Sequence, residues 1–207
     1  MLWPFILFYL IICRTTPRYL ELESLIHCLV SSFWHLYIIG KYIPGSMFWY
    51  NSLTNLTTYM PNHPELTGTF LLATEHSIGY FVADLLDTLI DYKNVKRRQY
   101  IFHHIISILG ISMQYAGSFI GSYGIFYAEI GAIGHHLRRL NKNDKKIFFF
   151  YLMTYGITRI LMILNVIHQT FHLQSGRDII PIMITYPLVI QNSIWLYKNV
   201  KSISLGK

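Results

Sequence analysis

Charge and cysteine are both scarce in this chain. Asp, Glu, Lys and Arg make up 13% of its 207 residues, about half the share usual in soluble domains. Two cysteines, Cys13 and Cys28, cannot build a disulfide framework, which excludes the small cystine-rich secreted class. No Gly-x-Ser-x-Gly elbow and no phosphate-cradling glycine loop occurs in the sequence. No run reads as a linker, a repeat or a low-complexity tract. What abounds is apolar: 53% of the residues belong to the AVILMFWYC set. A soluble chain this short leaves much of its surface wet and could not hide so much hydrophobic area. Disorder is excluded because these side chains can bury more than their ordering costs. A polytopic membrane protein remains.

The net charge of +7 invites a nucleic-acid reading, but the basic residues form no helix face and no run interleaved with stacking aromatics. No nucleic-acid partner is expected. Lys and Arg sit in short clusters between apolar blocks near 2–13, 22–40, 68–90, 99–115, 118–138, 147–168 and 179–198. About 20 helical residues cross a ~30 Å hydrocarbon core. All of these blocks but the first are about long enough.

The basic clusters alternate sides. Arg14 and Arg18, then Lys93, Lys96, Arg97 and Arg98, fall on one face of the membrane. Arg138, Arg139, Lys142, Lys145 and Lys146 join them, as do Lys198, Lys201 and Lys207, which makes 14 of the 17. The opposite side receives Lys41 and Arg177, and Arg159 lies within a span. By the positive-inside rule the C-terminus is cytosolic and the 41–67 loop faces away from the cytosol. That loop holds the sequon Asn55-Leu56-Thr57, on the side where glycosylation happens. Residues 2–13 carry their basic flank on the C-terminal side, backwards for a cleaved signal, and read as a short or shallow first helix.

The informative residues are ionisable groups at span depth, each costing roughly 2.5–3.5 kcal/mol at a helix centre. Ser24, His27, Ser31 and His35 recur at helical spacing on one face, as do His76, Tyr80, Asp84 and Asp87. His103-His104 opens the fourth span. Glu129 lies in the fifth, which closes on His135-His136 and Arg138, and the sixth contains Arg159. Mutual satisfaction between helices explains any one of these. It explains the whole set poorly, because small residues pack helices at lower cost. A polar cavity inside the bundle is the better account.

Metal is not expected. His168 and His172 have His-x3-His spacing, but neither histidine pair is preceded by a histidine three residues earlier, so the box pattern of membrane di-iron enzymes fails. No spacing argues for zinc.

From about Leu22 to Val200 the chain resembles the TLC-domain family, which includes ceramide synthases and translocon-associated relatives. Ser24-Leu25-Ile26-His27 is similar to the Ser-x-x-His that opens the domain. Gly79-Tyr80-Phe81-Val82-Ala83-Asp84 is similar to Gly-Tyr-Phe-x-x-Asp, and His103-His104 follows a basic loop as in the family. Glu129, His136 and Arg138 match the Glu, Asn and Arg positions of the TLC-domain-containing branch, with His in place of Asn. The His-Asp-x-x-Asp element of ceramide synthases is missing; that region reads Tyr127-Ala128-Glu129-Ile130-Gly131-Ala132-Ile133.

The resemblance implies an all-α transmembrane bundle of six to seven spans. Its organisation is a short apolar segment and cytosolic turn over 1–21, a TLC-like domain over 22–200 and a cytosolic tail over 201–207. It implies endoplasmic-reticulum-type membranes, membrane lipids as partners, and a role in lipid metabolism or homeostasis. His27, His76, Tyr80, His136 and Arg138 are the candidate lipid-cavity residues. One alternative is an acyl-CoA-dependent N-acyltransferase, with acyl-CoA as substrate and no cofactor. His103 or His104 would then act directly, with Asp84 or Glu129 orienting it. The rings of adjacent helical residues diverge by ~100°, so only one of the pair can face inward. Lys93, Lys96, Arg97 and Arg98 would attract CoA phosphates in that case, or serve only as topology charge. The other alternative is a non-catalytic receptor or chaperone-like partner.

Topology is directly testable. A single cysteine placed in the 41–67 loop of a Cys13/Cys28-less chain is expected to resist a cytosol-restricted maleimide. Labelling from the cytosol would reverse the orientation.

Overall fold

The computed structural model describes residues 2–17, 22–42, 64–91, 95–112, 115, 120–141, 144–171 and 179–204. Asn55, Lys93, His172 and the rest of the 43–63 segment lie outside the described residues. Seven helices account for nearly everything described: α1 (Leu2–Thr15), α2 (Leu22–Tyr42), α3 (Pro64–Ile90), α4 (Val95–Ser112), α5 (Ile120–Leu140), α6 (Lys145–Phe171) and α7 (Ile179–Ser204). Among the described residues there is no strand. The all-α expectation therefore holds, and the 2–13 block is a helix in its own right.

Local signals place several boundaries. Asp144 caps α6, its carboxylate accepting from the amides of Lys146 at 2.7 Å and Ile147 at 3.3 Å, which satisfies donors that a helix start otherwise leaves open. Arg138 and Arg139 occupy the last turn of α5 and Glu23 the first turn of α2, each of favourable sign for the helix dipole. Within α6, Thr154 and Thr158 donate back to the carbonyls of Phe150 and Thr154 at 2.8 and 2.6 Å, so their hydroxyls are paired inside an apolar helix.

Helix neighbours define a closed ring. α2 packs on α3, α3 on α4, α4 on α7, α7 on α6, α6 on α5, and α5 back on α2. α1 stays outside this ring, lying along α3 and touching α2. It runs parallel to α3, since Phe5 meets His76, Tyr9 meets Tyr80 and Arg14 meets Asp87 in the same order. α2 and α3 are antiparallel, with Ser24 on Tyr80 and Ser31 on Ser77.

The distribution of polarity is inverted relative to a soluble bundle. His27, His35, His76, His104, Asp87, Glu129 and Arg159 are buried, while Trp3, Phe33, Phe149, Met183 and Tyr197 are exposed. Lys145–Leu164 is a helical segment long and apolar enough to cross a membrane; Leu2–Thr15 and Tyr100–Ser112 are apolar but shorter. Ionisable and polar residues dilute the apolarity of the other helices, α4 and α5 above all.

Small residues set the closest helix contacts. A Cβ at Gly134 would meet the Thr154 hydroxyl and, at 3.1 Å, the Tyr151 Cα, whereas at Gly156 it would meet nothing within 4 Å. The first obstruction includes backbone and cannot be relieved by a rotamer change. Overpacking of this kind typically costs 1–3 kcal/mol. Gly134→Val is therefore expected to lower the thermal stability of the detergent-solubilised protein, and Gly156→Ala to leave it near wild type. Equal melting of the two variants in size-exclusion thermostability assays would refute the α5–α6 contact.

Candidate functional site

Two polar clusters meet inside the bundle, and α3 contributes to both. The first joins α3 to α4. His104 Nε2 lies 3.1 Å from Asp84 Oδ2, and the Tyr80 hydroxyl sits 3.5 Å from the same oxygen. The Tyr80 hydroxyl in turn pairs with Ser24 Oγ on α2 at 2.9 Å. Asp84 and His104 come together because each projects from its helix at the level where α3 and α4 cross. Phe81 of α3 packs against the histidine pair, its ring centroid 5.9 Å from His103 and 5.8 Å from His104. His104 is buried. His103 turns toward Trp195 of α7, at 5.6 Å between ring centroids. The two neighbours are thus unequally placed, and His104 is the one held by a carboxylate.

The chemistry of that pair follows from its bonds. An ionised carboxylate only accepts, so Nε2 of His104 carries the hydrogen and donates it to Asp84. In the neutral ring the lone pair then resides on Nδ1, which is buried with no hydrogen-bond partner among the described residues. A buried imidazole with a carboxylate behind it and an open nitrogen in front is the arrangement of an oriented base or nucleophile.

The second cluster joins α2, α3 and α5. His27 Nε2 stands 3.3 Å from Glu129 Oε1, an electrostatic contact rather than an aligned hydrogen bond, and Cys28, the next residue of α2, is also buried. His27 is the middle layer of a three-ring stack: Tyr80 lies at 3.9 Å and 7° on one side, His76 at 5.3 Å and 20° on the other. His35, two turns further along the same face of α2, is fully buried, and neither ring nitrogen has a hydrogen-bond partner among the described residues. Glu129 therefore engages His27 and leaves the orientation of the histidine pair to Asp84, although sequence spacing admitted either carboxylate for that duty.

Arg159, the ionisable residue inside α6, is also buried. Its guanidinium donates to the carbonyls of Ala128 at 3.2 Å and Tyr127 at 3.5 Å and lies 4.5 Å over the Tyr155 ring. It thereby brings a positive charge to the stretch of α5 that carries Glu129. His136 and Arg138 lie seven and nine residues further along α5, roughly 10–14 Å by helical rise. Arg138 stacks 4.8 Å over Phe148 of α6, and His136 neighbours His135 at 5.7 Å. These two candidates thus stand at the end of α5, well along the helix from the carboxylate clusters. The side chains of Lys96, Arg97 and Arg98 lie outside the described residues.

Sequence reasoning overlooked Tyr9. It is fully buried, and its hydroxyl shares a 2.6 Å hydrogen bond with His76 Nε2. The signal was available: Ile6, Tyr9 and Cys13 form the buried face of α1, and Tyr9 is the residue of that face with a hydroxyl to bury. Arg14, read as topology charge, meets the buried carboxylate of Asp87 at 3.0 Å. Among the described residues no group of three or more His, Cys, Asp or Glu is arranged to hold a metal ion.

An all-helical bundle with an apolar outer surface and an ionisable interior defines a membrane protein. The TLC-domain family model matches residues 21–201. The chain belongs to the TLC-domain family. The match covers α2 to α7, the six helices of the ring, and leaves α1 outside it. No curated protein and no solved structure gives a significant match.

Asp84 separates an organising role from a merely cohesive one. Asp84→Asn is expected to preserve membrane insertion and to disturb the lipid profile of expressing cells, because it weakens the acceptor for His104 Nε2. Asp84→Leu should insert at least as well, since it removes a charge that is costly at span depth, and should disturb the profile at least as strongly. Wild-type profiles from both variants would make Asp84 a packing residue only.

Proposed function

We propose that the chain is a multi-pass protein of lipid metabolism or lipid homeostasis that binds a lipid in the polar interior of the six-helix ring. One observation carries this reading. Buried ring nitrogens of His27, His35, His76, His103 and His104, from α2, α3 and α4, have no hydrogen-bond partner among the described residues. Native proteins pair the large majority of their buried polar atoms. A convergent set of open donors and acceptors inside an apolar shell suits a ligand with an apolar chain and a hydrogen-bonding head. The antiparallel packing of α2 on α3, with α1 parallel to α3, suits a chain that crosses back and forth, as six spans with α1 as a shorter seventh. Together with the loop charges they favour a cytosolic C-terminus, and family membership favours endoplasmic-reticulum-type membranes. Glu129 with His136 and Arg138 favours the TLC-domain-containing branch over the ceramide synthases.

The test is lipid mass spectrometry of the purified wild-type protein and of a His27→Ala/Glu129→Ala variant. A lipid class enriched over bulk membrane in the wild type and depleted in the variant is expected. Bulk composition in both would sink the reading.

A second reading is supported by the Asp84–His104 pair: acyl transfer from acyl-CoA to a long-chain amine. The open Nδ1 of His104 would remove the amine proton as nitrogen attacks the thioester carbonyl, and CoA would leave as the thiol. A general base typically contributes ~10²–10⁴-fold in rate. With purified protein, long-chain base and acyl-CoA, His104→Ala is expected to lose turnover by that order, while His103→Ala, turned toward Trp195, loses much less. No turnover by the wild type, or equal losses in the two variants, would remove the catalytic reading and leave the binding one.

A further inference from the structure

Helix α1 lies outside the six-helix ring and outside the residues matched by the family domain. Nevertheless it sends one polar side chain into the second cluster. The Tyr9 ring stands edge-on to all three rings of the stack, with centroids 6.1 Å from His27, 5.6 Å from His76 and 5.2 Å from Tyr80. Two features seat α1 at this depth. Gly79 has no side chain where α1 crosses; a Cβ there would lie 2.5 Å from Phe5 Cβ. At the other end of the helix Arg14 meets Asp87 at 3.0 Å.

The bond between Tyr9 and His76 has a direction. The two groups are 2.6 Å apart; a phenol O–H is a better donor than a neutral imidazole N–H, and an imidazole lone pair is a better acceptor than a phenol oxygen. The phenol therefore donates and Nε2 accepts, so the neutral His76 ring must carry its hydrogen on Nδ1. The free histidine side chain favours the opposite tautomer. The fixed ring then stacks on His27, whose other neighbour is Tyr80 and whose Nε2 faces Glu129.

We propose that Tyr9 is a positioning residue of the interior site: its hydroxyl locks His76 as the Nδ1–H tautomer, and the locked ring holds His27 in register with Glu129. The site is thus completed from outside the TLC domain. This rests on the reading of the interior as a lipid site, and the two can fail separately.

The experiment uses the full chain in phosphatidylcholine nanodiscs, with ¹⁵N-labelled histidine and a diazirine-bearing palmitic acid as probe. Nitrogen chemical shifts assign the His76 tautomer, and photocapture measures occupancy. The wild type is expected to show Nδ1–H at His76. Tyr9→Phe, which keeps the ring and its packing, should release His76 toward Nε2–H, shift the His27 nitrogens, and lower capture about fivefold, the factor carried by one lost neutral hydrogen bond. Leu7→Ala, on the exposed face of α1, should leave tautomer and capture unchanged. A His76 tautomer identical in wild type and Tyr9→Phe overturns the proposal, as does unchanged capture by that variant. If the wild type captures no probe, the lipid reading fails, and the tautomer still decides whether Tyr9 positions His76.

Discussion

The structure depends on a carboxylate that cannot be left alone. Glu129 projects from α5 into a space sealed from water, where an uncompensated charge costs several kcal/mol. His27 of α2 closes on it, and Arg159 of α6 lies along the same stretch of α5. This need ties α2 and α6 to α5 more specifically than apolar packing can, because lipid tails compete with any apolar helix face. The α2–α5 and α5–α6 contacts that close one side of the ring are built around that residue.

The opposite side follows the same rule with different partners. Asp84 is answered by His104 and Asp87 by Arg14, so these two acidic groups of α3 recruit different helices. A bundle organised in this way leaves several imidazole nitrogens open, because a ring that spends one nitrogen on a carboxylate or phenol presents the other elsewhere. Burial of ionisable groups, costly as adhesive, is economical where the groups also serve a ligand. The proposed lipid site and the helix order are consequences of one constraint.

α1 shows how a segment beyond the recognisable domain can enter the site. Its outer face exposes Trp3, Leu7, Phe8 and Ile11, as suits contact with acyl chains. Its inner face carries a single hydroxyl to the ring stack. Fourteen residues are short for a bilayer crossing, but they suffice to span the distance from Phe5 at Gly79 to Arg14 at Asp87. The depth of Tyr9 is set at both ends of the helix rather than by its length.

Much of this was legible in the chain itself. Apolar blocks and sparse charge gave seven helices within a few residues of their observed ends, because helical spacing and span length are local properties. The shared faces of Ser24, His27, Ser31 and His35, and of His76, Tyr80, Asp84 and Asp87, follow from the same 3.6-residue period. The motifs from Ser24 to Arg138 sufficed for family membership. Partnership was another matter. Whether Asp84 or Glu129 serves the histidine pair, which of His103 and His104 it holds, and where Tyr9 lands depend on how far each helix slides and turns against its neighbours. Those choices are made by contacts between residues distant in sequence, such as Gly79 against Phe5 or His27 against Glu129, and no periodicity along one helix encodes the register of the next. The sequence determined which groups had to be buried; only the tertiary structure decided which of them would answer one another.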